Sequence, residues 1–383
     1  MFFQILEAIR DLIIGILPKG LFSKFFGGEF AFICHPLDAR DSVRKYPFTR
    51  GISERFFELW TRHFWPVIGA QIIGPKKVTG ELSKGWAVIC PLTPTTMIQN
   101  PEFARKMILR TVRLCEKIEL KLVALGGYNS IITRDGEDLL GKTFLSVTTG
   151  NTYSAVLVIE NLKKAARELS LDLKTAKVAI IGAAGSVGYA CSHLIPPLVE
   201  GVWLMDINRK AVKELFMKVS QSCSNMQVFD TLDMIKEMDV VITATSTPRA
   251  IIHEENVRSG MIFIDASQPK NISEELAKKR DDILIIDSGI AKIPHLHCQM
   301  EMGPYKDEVY ACLGEALALV CQGRISSFSI GKVRPENVEE LSTALLRVGF
   351  EVPQFRNAGG YISEDKMRRF QEKYLPTGLL QKS

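Results

Sequence analysis

Val178-Ala179-Ile180-Ile181-Gly182-Ala183-Ala184-Gly185-Ser186-Val187-Gly188 joins a run of β-rich apolar residues directly to a glycine-punctuated turn. Four such residues in a row make a strand buried on both faces. Glycines at 182, 185 and 188 permit a tight turn, close approach of a pyrophosphate to backbone N–H groups, and close packing of the helix that follows. Ala183, Ser186 and Val187 complete the cradle, and the helix N-terminus adds unpaired donors and a positive dipole end. The spacing is G-x-x-G-x-x-G, so it departs from G-x-G-x-x-G at the second glycine.

The surroundings point the same way. Val202-Trp203-Leu204-Met205-Asp206 reads as a second strand ending in a carboxylate 18 positions after Gly188, close to the ~20 expected for a ribose-binding acid. Apolar runs recur at 239–244, 261–265 and 283–287, separated by helix-length segments, and that alternation predicts a doubly wound parallel sheet. Asn208 and Arg209 after the second strand, and Thr245 and Ser246 after the third, join Asp206 as candidate cofactor-binding residues. The ligand expected is a nicotinamide dinucleotide.

With 383 residues the chain is long for a single core. The fold class expected is α/β: two lobes, with a Rossmann-type parallel sheet, an N-terminal α/β substrate lobe and C-terminal helices. The boundaries expected are an amphipathic helix at 1–27, a substrate lobe at 28–155, the dinucleotide domain at 156–300, C-terminal helices at 301–352 and a polar extension at 353–383. Helical patterns run over 102–121, 160–170, 308–321 and 335–348. The last stretch reads as loosely attached.

Composition narrows the partners. A net charge of +5 is mildly basic, and no Lys/Arg block or aromatic-basic interleaving argues for nucleic acid. The eight cysteines include no C-x-x-C pair and follow no secretory signal, so they are expected as reduced thiols in a cytoplasmic protein. His295-x-His297-Cys298 is too small a cluster for a metal site, and none is expected. From Phe2 to Leu17 apolar residues fall on one helical face, and Phe22, Phe25 and Phe26 interleave with Lys19 and Lys24. The pattern suits peripheral contact of residues 1–27 with the inner membrane face and equally a helix docked on the protein's own body.

Two polar, glycine-containing stretches interrupt the first lobe: Leu125-Gly126-Gly127-Tyr128-Asn129-Ser130 and Thr148-Thr149-Gly150-Asn151-Thr152. Gly126, Gly127, Tyr128 and Ser130, with Thr148, Thr149, Gly150 and Asn151, can present N–H groups, hydroxyls and amides to a substrate. Turn and N-cap chemistry explains the same residues. Cys312 lies on an apolar helical face with Leu313, Ala316, Leu317 and Val320, and by itself reads as a small core hydrophobe. The aromatic residues Phe56, Phe57, Trp60, Phe64 and Trp65 suit either an apolar channel or a packed core.

These stretches, together with residues 182–188, Asp265 through Pro269-Lys270-Asn271, and Ala311-Cys312 through Glu315, resemble the cyanobacterial-type long-chain acyl-acyl-carrier-protein reductases over roughly residues 30–352. The resemblance implies reduction of a fatty acyl thioester, on acyl carrier protein or coenzyme A, to the free aldehyde by NAD(P)H. It also implies that Cys312 is the nucleophile. Lys306, Lys270, His295 and His297 are the cations available to lower its pKa. Asp206 accepts from a ribose 2′-OH and repels a 2′-phosphate, so NADH is expected to be usable and preferred, against the habit of the family. Two other readings stay open: a shikimate- or amino-acid-type dehydrogenase without covalent catalysis, and a dinucleotide-responsive, membrane-associated binding protein.

Overall fold

The computed structural model describes residues 25–37 and 65–375, except 222–224, 248, 299 and 301, with scattered positions between 9 and 59. Most of the amphipathic pattern at 1–27, and Phe57, Trp60 and Phe64 of the aromatic group, lie outside the described residues. Phe56 and Trp65 are both exposed rather than core residues. The strands that place the sites are β1 (Phe30–Cys34), β2 (Val67–Lys76), β3 (Leu82–Ile89), β4 (Leu122–Leu125), β5 (Ser146–Thr148), β6 (Lys177–Ile181), β7 (Gly201–Met205), β8 (Met226–Val228), β9 (Val240–Thr243), β10 (Ile262–Asp265) and β11 (Leu284–Asp287). The helices are α1 (Pro101–Lys117), α2 (Tyr128–Ile132), α3 (Asn151–Leu169), α4 (Ser186–Leu194), α5 (Arg209–Val219) and α6 (Ala311–Cys321).

The chain forms two compact units. The first comprises Met1–Gly150, Ile293–Gly331 and Ala344–Phe350. Its mixed sheet runs in the order His297–Cys298, β2, β3, β1, β4, β5, with the pairs made by β2 antiparallel and the rest parallel. β4 is apolar and buried at all four positions, as a strand covered on both faces must be. α1 starts where local rules place it: Asn100 Oδ1 accepts from the Phe103 N–H at 3.2 Å, and Pro101 occupies the first turn, where its missing N–H costs nothing. Its buried stripe of Ala104, Met107, Ile108, Val112 and Cys115 packs in one core with Ala31, Ile33, Val123 and Leu125. Register matters most for function. Ile33 pairs with Leu125 and Ala124 with Thr148, so the chain leaves β1, β4 and β5 at the same edge, through His35, Gly126 and Thr149.

The second unit comprises Asn151–Lys292, Lys332–Thr343 and Glu351–Ser383. Its six strands are all parallel, in the order β11-β10-β9-β6-β7-β8, the doubly wound arrangement that the alternating pattern predicts. The order reverses between β6 and β9. In open α/β sheets the crevice at such a switch point, outside the strand C-termini, is where ligands bind.

Three elements differ from the sequence reading. The pattern at 160–170 is the second half of a longer helix, because buried Thr152, Tyr153, Ala155, Val156 and Leu157 extend the same face back to Asn151 with no breaker between. The pattern at 308–321 splits: Glu308–Tyr310 is a short strand, favoured by Val309 and Tyr310, and the helix starts at Ala311. The polar tail is not loosely attached. Phe355, Ile362 and Phe370 are each at most 4% exposed, and Glu364–Tyr374 is a helix capped by Ser363.

Candidate functional site

In the second unit the glycine turn is a cradle with no spare volume. Gly182 has φ +83°, and a Cβ there would stand 2.5 Å from the Ala244 carbonyl oxygen and 2.9 Å from Thr245 Cγ2. A Cβ at Gly188 would overlap the Gly182 carbonyl oxygen and lie 2.9 Å from Ala183 Cα, so the helix packs directly on the turn. Gly185 is the N-cap of α4 and supplies no side-chain acceptor to its first turn. Asp206 ends β7 and ties the turn together: Oδ2 accepts from the Ala184 N–H at 3.0 Å and Oδ1 from the Asn208 N–H at 2.9 Å.

The neighbouring strand ends complete the crevice. The Thr245 hydroxyl donates to Asn271 Oδ1 at 2.8 Å, and the Ser267 hydroxyl donates to the same oxygen at 2.9 Å. Asn271 is fully buried, yet its Nδ2 has no hydrogen-bond partner among the described residues. A buried amide donor left open beside a glycine cradle fits a dinucleotide, whose ribose and carboxamide groups are acceptors. Two expected contacts look elsewhere. Asn208 spends its Oδ1 capping α5 through the Ala211 N–H at 3.1 Å, and Arg209 points out toward Asp230, 4.0 Å away and exposed. Ser246 is exposed.

In the first unit Cys312 stands in the first turn of α6, one residue inside the helix start, and not in mid-helix as the longer pattern implied. A helix N-terminus favours a thiolate, and backbone hydrogen bonds from Leu313, from Cys312 itself and from Gly127 lower the thiol pKa. Burial outweighs them and, with the nearby Glu315 charge, pushes the thiol up to about 11. None of Lys306, Lys270, His295 and His297 is among the groups acting on it. Lys270 is committed within the second unit, donating to the Asp265 carbonyl at 2.8 Å and facing Asp287 at 3.7 Å.

The two polar stretches of the first unit converge on this cysteine. Gly150 has φ +81°, and a Cβ there would stand 2.6 Å from the Cys312 nitrogen and 2.7 Å from its Cβ, so the loop backbone lies directly against Cys312. Glu315, one turn further along α6 and fully buried, accepts from the Gly150 N–H at 3.0 Å and from the Thr148 hydroxyl. Thr149 donates to the Ser329 carbonyl at 2.8 Å. Gly127, the N-cap of α2, has φ +55°, and the next N–H, that of Tyr128, donates to His35 Nε2 at 3.1 Å. Tyr128 Oη is buried without a partner among the described residues. Ser130 turns away, donating to Asp135 at 3.2 Å, and Asn151 opens α3.

His35 and Glu315 were not assigned roles from sequence. Glu315 shares Cys312's helix three residues on, a spacing that marks a common face. No local signal marks His35, whose partner is 93 residues away. Among the described residues no group of three or more His, Cys, Asp or Glu is placed to hold a metal ion, and no helix is long and apolar enough to cross a membrane.

Residues 163–287 match the shikimate/quinate 5-dehydrogenase family model. Fold and match together define an NAD(P)-binding Rossmann domain of the oxidoreductase type. The relatives are distant. The chain is 24% identical over 366 residues to an aminotransferase, PigE, of Serratia sp., an alignment covering 90% of this chain and 42% of that protein. It is also 24% identical over 314 residues to the long-chain acyl-[acyl-carrier-protein] reductase of Synechococcus elongatus, covering 75% of this chain and 89% of that one. The solved glutamyl-tRNA reductase of Methanopyrus kandleri is 18% identical, with 71% of this chain and 53% of that chain covered at a TM-score of 0.28. The chain thus spans less than half the length of the Serratia protein and most of the Synechococcus one.

Proposed function

We propose that this protein reduces a long-chain fatty acyl thioester, carried on acyl carrier protein or coenzyme A, to the free aldehyde through an acyl-enzyme on Cys312. One observation carries the reading: a cysteine at a helix N-terminus, receiving the Gly127 hydrogen bond and lined by the backbone of Gly150, in a protein that also has a dinucleotide cradle. A core cysteine needs neither loop. The similarity to the Synechococcus reductase, over three quarters of the chain, supports the substrate class.

The thiolate of Cys312 attacks the acyl carbonyl, a new C–S bond forms, and the carrier sulfur leaves with the cysteine's proton. Bound NAD(P)H supplies the hydride. The resulting hemithioacetal oxyanion collapses, its C–S bond breaks, and aldehyde and the Cys312 thiolate are released. Cys312 is half-buried, which suits this chemistry, since an acyl-enzyme partly shielded from water is hydrolysed less readily to the acid. The residues that would hold the dinucleotide are Gly182, Gly185 and Gly188 at the pyrophosphate, with Asp206 at the ribose. A carboxylate at that place favours NADH over NADPH.

Cys312→Ala tests the reading. Aldehyde formation from palmitoyl-coenzyme A should be lost while dinucleotide binding by fluorescence is unchanged; turnover at the wild-type rate overturns it. A second reading, a dehydrogenase without covalent catalysis, is favoured by the match of residues 163–287 and requires that retained turnover.

A further inference from the structure

The N–H groups of Gly127 and Tyr128 are successive: that of Tyr128 donates to His35 Nε2 at 3.1 Å, and the Gly127 backbone is among the groups acting on the Cys312 thiol. His35 follows β1 and the Gly126-Gly127-Tyr128 turn follows β4, the neighbouring strand. The imidazole's state is set by its contacts. Nδ1 lies 3.1 Å from the Pro36 carbonyl oxygen, which can only accept, so Nδ1 carries the proton and Nε2 presents its lone pair to the Tyr128 N–H at 3.1 Å. The ring also fills the space beside Gly127, where a Cβ would stand 2.7 Å from Nε2. Gly127 is held at φ +55°, ψ −129°, and its turn is otherwise tied to β1 by the Gly126 N–H on the Ile33 carbonyl at 2.8 Å.

We infer that His35 is a positioning residue of the reaction: its neutral imidazole clamps the Tyr128 N–H and so keeps the preceding N–H, that of Gly127, aimed at Cys312 Sγ. The inference rests on the reading of Cys312 as the nucleophile. As the thiolate forms, and as negative charge returns to sulfur when the hemithioacetal collapses, an oriented backbone donor is worth most, because a hydrogen bond to a charged acceptor is stronger than one to a thiol. His35 does this without bringing a charge of its own. Burial holds its pKa below the ordinary value, and the Pro36 backbone hydrogen bond and Asp41 oppose that only in part. A cation at this place would lose the Tyr128 hydrogen bond, since both ring nitrogens would then be donors.

The experiment uses the full chain with His35→Ala, His35→Asn and His35→Gln. Two rates are read: carbamidomethylation of Cys312 by iodoacetamide at fixed neutral pH, localised by peptide mass spectrometry, and reduction of palmitoyl-coenzyme A. Gln places an amide oxygen where Nε2 stands; Asn is too short to reach. Ala and Asn should slow both rates about tenfold, the size expected for one hydrogen bond to a charged group, with KM within about twofold. Gln should recover to within about threefold of wild type. Equal behaviour of Gln and Asn, or alkylation in Asn at or above the wild-type rate, overturns the inference. If Ala does not fold, the contrast between Gln and Asn decides. If the wild-type protein does not reduce the thioester, the proposed function fails, and the alkylation contrast still decides the role of His35.

Discussion

The two candidate sites are built in opposite ways. The cradle of the second unit is one continuous stretch, strand, turn and helix, in which Gly182, Gly185 and Gly188 do their work by backbone geometry within seven residues. The thiol site of the first unit is assembled from residues that the sequence keeps far apart: His35, Gly127, Gly150, Cys312 and Glu315 meet only because β1, β4 and β5 end at one edge of a sheet. A phosphate can be recognised by a turn. A nucleophile needs neighbours on several sides, and those come from the fold.

That difference should show in where substitutions hurt. Gly150→Ala forces a Cβ into the Cys312 backbone at a positive φ, and Gly188→Ala forces one into the Gly182 carbonyl. Each is expected to cost about 2–4 kcal/mol locally, from overpacking and, at Gly150, backbone strain. Their signatures should separate: Gly150→Ala loses thioester reduction and changes Cys312 alkylation while NADH binding persists, and Gly188→Ala loses NADH binding, and reduction with it, while Cys312 alkylation persists. Altered NADH binding and altered Cys312 alkylation together in either variant would show that the sites are not independently built.

Glu315→Ala leaves the Gly150 N–H and the Thr148 hydroxyl without their acceptor in a dry environment. A loss of about 2–3 kcal/mol in urea unfolding is expected, with Glu315→Gln recovering part of it through its amide oxygen. A loss under about 0.5 kcal/mol for Ala would show that the carboxylate does not organise the loop.

Smaller, but sharp in sign, is the pH dependence. Cys312 is pushed up to about 11 from an ordinary 9.0, so the folded protein holds the thiol proton more tightly than the unfolded chain does. The stability that goes with it is fully present below pH 9.0 and is lost as pH rises through about 11. Cys90 and Cys191, each pushed to about 12 by burial, act in the same direction. Urea unfolding from neutral pH upward should show falling stability, less steeply in Cys312→Ala. Alkylation of Cys312 should climb roughly tenfold per pH unit through the same range. A plateau near neutrality would mean a pre-formed thiolate and contradict the assigned burial.

The smallest effect expected is at Asp206. Asp206→Asn keeps one acceptor for the turn and removes the charge that repels a 2′-phosphate. The ratio of kcat/KM for NADH to that for NADPH should fall about threefold to tenfold, within what one half-buried charge can do. An unchanged ratio would assign the cofactor choice to other residues.

How much of this was legible follows the same division. The parallel sheet and the carboxylate closing β7 are local patterns and could be read directly, as could β4, a run of four apolar residues. Boundaries set by tertiary pairing were not legible. The start of α6 at Ala311, which moves Cys312 from mid-helix to the first turn, depends on Glu308–Tyr310 being drawn into a strand. The helical spacing of Cys312 with Leu313, Ala316 and Leu317 describes its core-facing neighbours but says nothing of the loops above it. His35 sits after the strand Phe30–Cys34, and its role rests on a hydrogen bond across 93 residues. The cations expected to lower the thiol pKa, Lys306, Lys270, His295 and His297, are not among the groups acting on it. The folded chain instead offers it backbone N–H groups, which no residue-type pattern reveals.

The most direct test is intact-protein and peptide mass spectrometry after incubating wild type and Cys312→Ala with palmitoyl-coenzyme A and no nicotinamide cofactor. One palmitoyl group should appear on the wild-type peptide carrying Cys312, vanish when NADH or NADPH is added, and be missing from the variant. An adduct on another cysteine, or reduction of the thioester by Cys312→Ala, would contradict covalent catalysis at this residue.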